Sequence, residues 1–197
     1  MEHVDGRRID AGFYRRGTLE VARDLLGRVL CRRLPDGSVL RGRLVEVEAY
    51  DGPNDRACHA WRGRTPRNAP LFGPGGLAYI YLVYGMHDLL NVVTGPTDYP
   101  AAVLLRAAES PSAGVSASGP GRLTRAFRVD RSLDRASFTG PELWIERGAP
   151  VADSETGRTA RIGVDYAGSW ARRRFRFVIR DHPDLSGPAA LNRRARS

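Results

Sequence analysis

The sequence predicts a single α+β domain: a mostly antiparallel, curved β-sheet with flanking short helices and a protruding β-hairpin. Two observations carry that prediction. Apolar and polar residues alternate in "SVLRGRLVEVEAY" and "LAYIYLVYGMHDLLNVV", and turn signals separate these runs from shorter ones. Only brief stretches show a helical period, so strands dominate. The 197 residues, with a hydrophobic fraction of 42%, suffice for one domain with a full core. The domain is expected over residues 11–181, between a flexible leader, 1–10, and a flexible tail, 182–197.

The elements follow in order. Thr18 can cap a helix over 19–26, with Leu19, Ala22, Leu25 and Leu26 inward and Gly27 as its stop. "RVLCRRL", a "PDG" turn and "SVLRGRLVEVEAY" read as a hairpin. Residues 51–76 lack periodicity, and long loops in compact domains are usually functional or disordered. "LAYIYLVYGMHDLLNVVTG" is a second hairpin. A three-residue turn with Tyr84 facing Asp88 would set Tyr81 opposite Asn91. "AAVLLRAAE" is a strand, "GRLTRAFRV" a short helix entered through Gly119-Pro120-Gly121, and "ELWIERG", "RTARIGV" and "RRFRFVIR" are late strands.

Charge and composition narrow the function. The formal net charge is +9 and the pI about 10.5, which points to polyanionic partners and first to nucleic acid. All 31 basic residues are arginine, whose planar fork suits phosphate oxygens. No lysine is present to form a Schiff base with a sugar aldehyde; only the Met1 amine could. Cys31 and Cys58 form no zinc or disulfide pattern. No apolar run approaches a membrane span and the N-terminus has no signal core, so a soluble, cytoplasmic protein is expected, nucleoid-associated if bacterial.

In "RLVEVEAYDG", alternation sends Val45, Val47 and Ala49 to one face and Glu46, Glu48 and Tyr50 to the other. The second face can be a solvated one, or a groove in which a glutamate activates water or binds metal. Tyr79, Tyr81 and Asn91 share a face of the second hairpin: either a pocket wall or an ordinary cross-strand cluster. Tyr84 and Met86 at its tip could form a wedge of the kind that unstacks bases. Arg106 shares a face with Ala102 and Leu104, and, if partly buried, requires an acidic or water partner such as Glu48. Arg62, Arg64 and Arg67, near His59, read as phosphate contacts or as solvated charge.

Taken together, "VARDLLGRVL", "VEVEAYDGPNDRACHA", "TPRNAPLFGPGG", "YIYLVYGMHDLLNVV", "AAVLLRAAE", "SGPGRLTRAF", "LWIERG" and "RIGVDYAGSWARRRFRF" resemble, in order and over about residues 12–180, the alkyladenine (3-methyladenine) DNA glycosylase family. The resemblance implies a monofunctional repair enzyme that flips a damaged purine out of duplex DNA and hydrolyses its N-glycosidic bond, with no cofactor and no metal. Glu48 matches the glutamate that activates water, and Arg106 the arginine that helps to hold it. Tyr50, His59 and Tyr81 match the walls of the base pocket, Asn91 the residue that disfavours the exocyclic amine of guanine, and Ala57 a backbone contact to the base. Tyr84 matches the intercalating side chain; Met86 beside it and Arg67 are expected at the DNA backbone. The partner implied is double-stranded DNA containing damaged purines, met by a monomer. Two other readings stay open: a metal-dependent nuclease using Glu46, Glu48, Asp51 and Asp55, and a non-catalytic nucleic-acid-binding module.

Overall fold

The computed structural model describes residues 7–193 and 195; the greater part of the expected leader, residues 1–6, lies outside them. Strand β1 (Val29–Arg33) and strand β2 (Val39–Tyr50) form the first hairpin, with Val29 opposite Arg43 and Arg33 opposite Val39. Its turn is closed by Asp36, whose Oδ1 accepts from the Ser38 N–H at 2.9 Å, a local bond typical of Asp in turns.

Beyond residue 43, β2 is the spine of the sheet. It pairs with β5 (Ala102–Ala108) on one edge and with β8 (Arg176–Ile179) on the other. A register shift between Leu44 and Val47 marks a bulge, which bends a strand and increases its twist. Strands β3 (Ala78–Val83) and β4 (His87–Val93) extend the curled sheet beyond β5. Strand β6 (Leu143–Glu146) pairs with β1, and β7 (Thr156–Thr159) with β8; every pairing is antiparallel. At the β1 edge, Ile9 is buried and its N–H donates to Ile145 O. No helix among the described residues is long and apolar enough to cross a membrane.

Three sequence expectations need correction. Helix α1 (Ala11–Tyr14) precedes helix α2 (Thr18–Leu25), which is capped by Gly17, with Thr18 already inside it. Thr18 is buried, and its hydroxyl accepts from Thr94 instead. The inward face also includes Val21. In the second hairpin the turn comprises Tyr84, Gly85 and Met86, so Asn91 faces Tyr79 and Tyr81 faces Leu89. The turn begins one residue earlier than expected, which moves each partner by two, because Tyr84 itself adopts a left-handed backbone (φ 52°), followed by Gly85 at φ 70°. Tyr79, Tyr81 and Asn91 still share a face. Finally, β7 stops at Thr159, short of "RIGV". The Ile162 N–H leaves the ladder and donates to the Glu48 carboxylate.

Short helices cover the sheet. Helix α2 packs Val21, Ala22 and Leu25 on β2 and β5. Helix α3 (Pro120–Ala126) packs Leu123 on β4 and β5. The other face of β2 carries Glu46 and Glu48, and both are fully enclosed. A solvated strand face is therefore the wrong account of this alternation. Unpaired charges do not survive such burial, so their partners define the centre of the molecule.

Candidate active site

A cavity of about 250 Å³ opens beside that centre. β2 supplies Tyr50, and the loop after it supplies Ala57, Cys58 and His59. β3 and β4 supply Tyr79, Tyr81 and Asn91, and β5 supplies Leu104 and Arg106. The wall opposite comes from residues 162–166, among them Ile162 and Tyr166. The structure thus brings together Tyr50, Ala57, His59, Tyr81, Asn91 and Arg106, which the sequence reading singled out separately.

Glu48 is not part of the lining. Its carboxylate lies immediately behind the wall, where three groups donate to it. Tyr50 Oη donates to Oε2 at 2.9 Å and Arg106 Nη1 at 3.4 Å, while the Ile162 N–H donates to Oε1 at 2.8 Å. Tyr50 and Arg106 both line the cavity, so two hydrogen-bond donors link Oε2 to it. Burial, and then the Glu48 charge, push the Tyr50 phenol pKa well above its usual value, which keeps its proton available for this bond.

Arg106 bridges the two glutamates. Its Nε donates to Glu46 Oε1 at 2.8 Å. Arg176, fully buried, donates to the same oxygen at 2.8 Å. Burial opposes ionisation of Glu46, but Arg176 and Arg106 outweigh it and hold the carboxyl below its usual range. Burial likewise disfavours the Arg106 cation, and Glu48 and Glu46 more than restore it.

The cavity's shape is set by side chains without an assigned role. Asp55 and Arg161, both fully enclosed, form a forked ion pair. Asp55 Oδ1 accepts the Ala57 N–H at 3.0 Å, and Arg161 Nη1 donates to Ala49 O at 2.8 Å. The Arg161 guanidinium also lies 4.7 Å from the Tyr50 ring centroid. This pair fixes the loop after β2 and the Tyr50 ring together. It also engages the Ala57 N–H, leaving the carbonyl, which accepts from Tyr166 Oη at 3.4 Å, for any contact to a ligand.

The aromatic wall is interlocked. The His59 ring stands at 70° to Tyr81 with centroids 4.4 Å apart, and its Nδ1 is 2.9 Å from Tyr79 Oη. Burial and the Arg67 charge lower the His59 pKa, favouring neutral imidazole. Asn91 Nδ2 donates to Tyr79 O at 3.0 Å, a cross-strand bond that fixes the amide. At the cavity's rim, Tyr84 lines the opening yet is 89% exposed, and Met86 beside it is 71% exposed. Arg67 is exposed too, and its Nη2 donates to Leu82 O at the hairpin's end.

Comparison with known proteins fits this geometry. Residues 12–183 match the family described as methylpurine-DNA glycosylase. The chain belongs to the methylpurine-DNA glycosylase family. Relatives named "Putative 3-methyladenine DNA glycosylase" include one from Myxococcus xanthus (strain DK1622), 48% identical over 89% of this chain and 92% of its own length. Another, from Methanocella arvoryzae, is 47% identical over 88% and 93%. One from Legionella pneumophila (strain Corby) is 41% identical over 91% and 98%.

Within this glycosylase, the partners of Glu46, the Asp55–Arg161 pair and the wall at 162–166 escaped sequence reasoning. "RIGVDYAGSW" carried the family resemblance without suggesting a role. The one available signal was its position after a strand, with Gly163 and an aromatic close together.

Proposed function

We propose that this enzyme removes alkylated purines, 3-methyladenine among them, from duplex DNA by hydrolysing the N-glycosidic bond with water activated by Glu48. The observation that carries this reading is the shared oxygen. Tyr50 and Arg106 both line the ring-walled cavity and both donate to Glu48 Oε2. A water beside Arg106 could give its proton to that oxygen as it attacks C1′ of a flipped nucleotide. The bond to the base then breaks and its electron pair leaves with the base. An alkylated purine is cationic, so it leaves readily and is drawn to electron-rich rings. Tyr50, Tyr81 and neutral His59 supply those rings.

Flipping a base costs a few kcal/mol, least for a weakly paired one. The exposed Tyr84 tip is suited to fill the gap left in the stack. Arginine-only basicity favours phosphate contact, with Arg67 among the contacts. Asn91, fixed at the pocket floor, would disfavour the exocyclic amine of guanine. We place the enzyme with chromosomal DNA, as a monomer without cofactor. A nuclease fits less well. Glu46, Glu48 and Asp55 are each held by an arginine, and the described residues contain no cluster of three metal-ligating side chains.

The test is Glu48→Gln. Base release from methylated duplex DNA should fall by about 10²–10⁴-fold, the usual worth of a general base, with DNA binding retained and no effect of EDTA on the wild type. Wild-type release by this variant would remove Glu48 from the role.

A further inference from the structure

The segment after β8 returns to the arginine–glutamate cluster behind the candidate site. The His182 N–H donates to Ile179 O and the Leu185 N–H to His182 O, so the chain turns back after the strand. Leu185 packs against the main core and its carbonyl accepts from Ser118 Oγ. Ser186 is buried, 6% exposed, although it lies in the stretch the sequence assigns to a tail.

Every polar group of Ser186 engages the arginine–glutamate cluster. Its N–H donates to Glu46 Oε2 at 2.6 Å. Its hydroxyl donates to Glu46 Oε1 at 2.9 Å and accepts from Arg106 Nη2 at 3.1 Å. Its carbonyl accepts from Arg176 Nη2 at 3.1 Å. Gly187 follows at φ 80°, and a Cβ there would meet Ile162 Cδ1 at 2.4 Å. Ile162 in turn donates its N–H to Glu48. Ser186 thus contacts Arg106 directly, and Gly187 lies against the residue that donates to Glu48.

The Arg106 fork is held at Nε by Glu46 and at Nη2 by Ser186, with Nη1 turned toward Glu48. A planar guanidinium fixed at two nitrogens has its third fixed as well. We propose that Ser186 is a positioning residue for hydrolysis, aiming Arg106 Nη1 at the water site beside Glu48. This rests on the roles given above to Glu48 and Arg106. Catalytic groups tolerate misplacements well under 1 Å, so a side chain that never meets the substrate can set the rate.

A double-mutant cycle tests it, with single-turnover base release from methylated duplex DNA as the readout. Each variant is assayed where its circular dichroism matches that of the folded wild type. Ser186→Ala is expected to slow release about tenfold, as loss of a hydrogen bond to a charged group would, with duplex affinity changed less than about twofold. Ser186→Thr should restore most of the rate. Ser186→Ala combined with Arg106→Ala should be no slower than Arg106→Ala alone. If the alanine variant does not fold, Ser186→Cys, similar in size and a weak donor, carries the same expectations. A wild-type rate at position 186 without the hydroxyl, or losses that multiply in the double variant, would overturn the inference. Failure of the underlying reading looks different: Arg106→Ala or Glu48→Gln would then release base at the wild-type rate.

Discussion

The Tyr50 hydroxyl donates to Glu48 Oε2 at 2.9 Å, while the Tyr50 ring lines the cavity. One residue therefore serves both the wall and the carboxylate. Tyr50→Phe separates the two, because it keeps the ring and removes the donor. Affinity for damaged duplex should stay within about threefold, since the stacking surface is unchanged. The single-turnover rate should fall about tenfold, because a hydrogen bond to a charged group is lost. Filter binding and quenched-flow release measure the two quantities independently. A wild-type rate with wild-type affinity would assign Tyr50 to the wall alone.

Glu46 predicts a stability effect. It is the shared counter-charge of Arg106 and Arg176, both buried. Glu46→Gln keeps the shape and leaves two buried cations short of an anion. Breaking such a pair costs about 3–5 kcal/mol, readable as a lower urea midpoint. The folded-state pKa of Glu46 is depressed, so the folded form binds fewer protons than the unfolded one. Its contribution is fully present above the unfolded value, about 4.3, and is lost as pH falls through the lower folded value. Wild-type stability should therefore drop below about pH 4, and that part of the drop should vanish in Glu46→Gln.

His59 offers a spectroscopic check of the pocket's electrostatics. Burial first, and then the Arg67 charge, lower its pKa. Arg67→Ala removes the second cause, so the imidazole titration followed by NMR should move up toward its ordinary value, about 6.5. The direction is fixed: a cation destabilises the imidazolium, and its removal favours protonation. A downward or absent shift would mean that the Arg67 guanidinium lies farther from the ring than its contact with Leu82 O implies.

Part of this site is legible in the sequence because strands alternate. Period-2 patterning along β2 and β5 suffices to put Glu48, Tyr50, Leu104 and Arg106 on the side of the sheet where the cavity lies. The hairpin's shared face is legible for the same reason, and it survives a register error because that error is of two residues, which keeps the parity. That error is a turn effect: no pattern reveals that Tyr84 rather than Gly85 begins the left-handed stretch. The partners of the buried charges are not legible at all. Arg161 meets Asp55 across 106 positions and Ser186 meets Glu46 across 140, and those distances are closed only by the folded sheet. Exposed and buried arginines also look alike in a chain with 31 basic residues.

The hairpin tip supplies a prediction that separates flipping from chemistry. Tyr84 is 89% exposed, so Tyr84→Ala should change stability by less than about 0.5 kcal/mol. It removes the side chain suited to replace the flipped base in the stack. Unstacking a base step costs a few kcal/mol, and losing a fraction of that compensation corresponds to about 10–100-fold in the flipping equilibrium. Base release from an intact duplex should fall by that factor. Release of the same lesion placed opposite a missing nucleotide, where little stacking opposes extrusion, should fall by less than about threefold. Fluorescence of a reporter base beside the lesion follows flipping directly. If both substrates lose rate equally, Tyr84 acts on chemistry or on general DNA affinity, and the wedge assignment fails while the Glu48 centre stands.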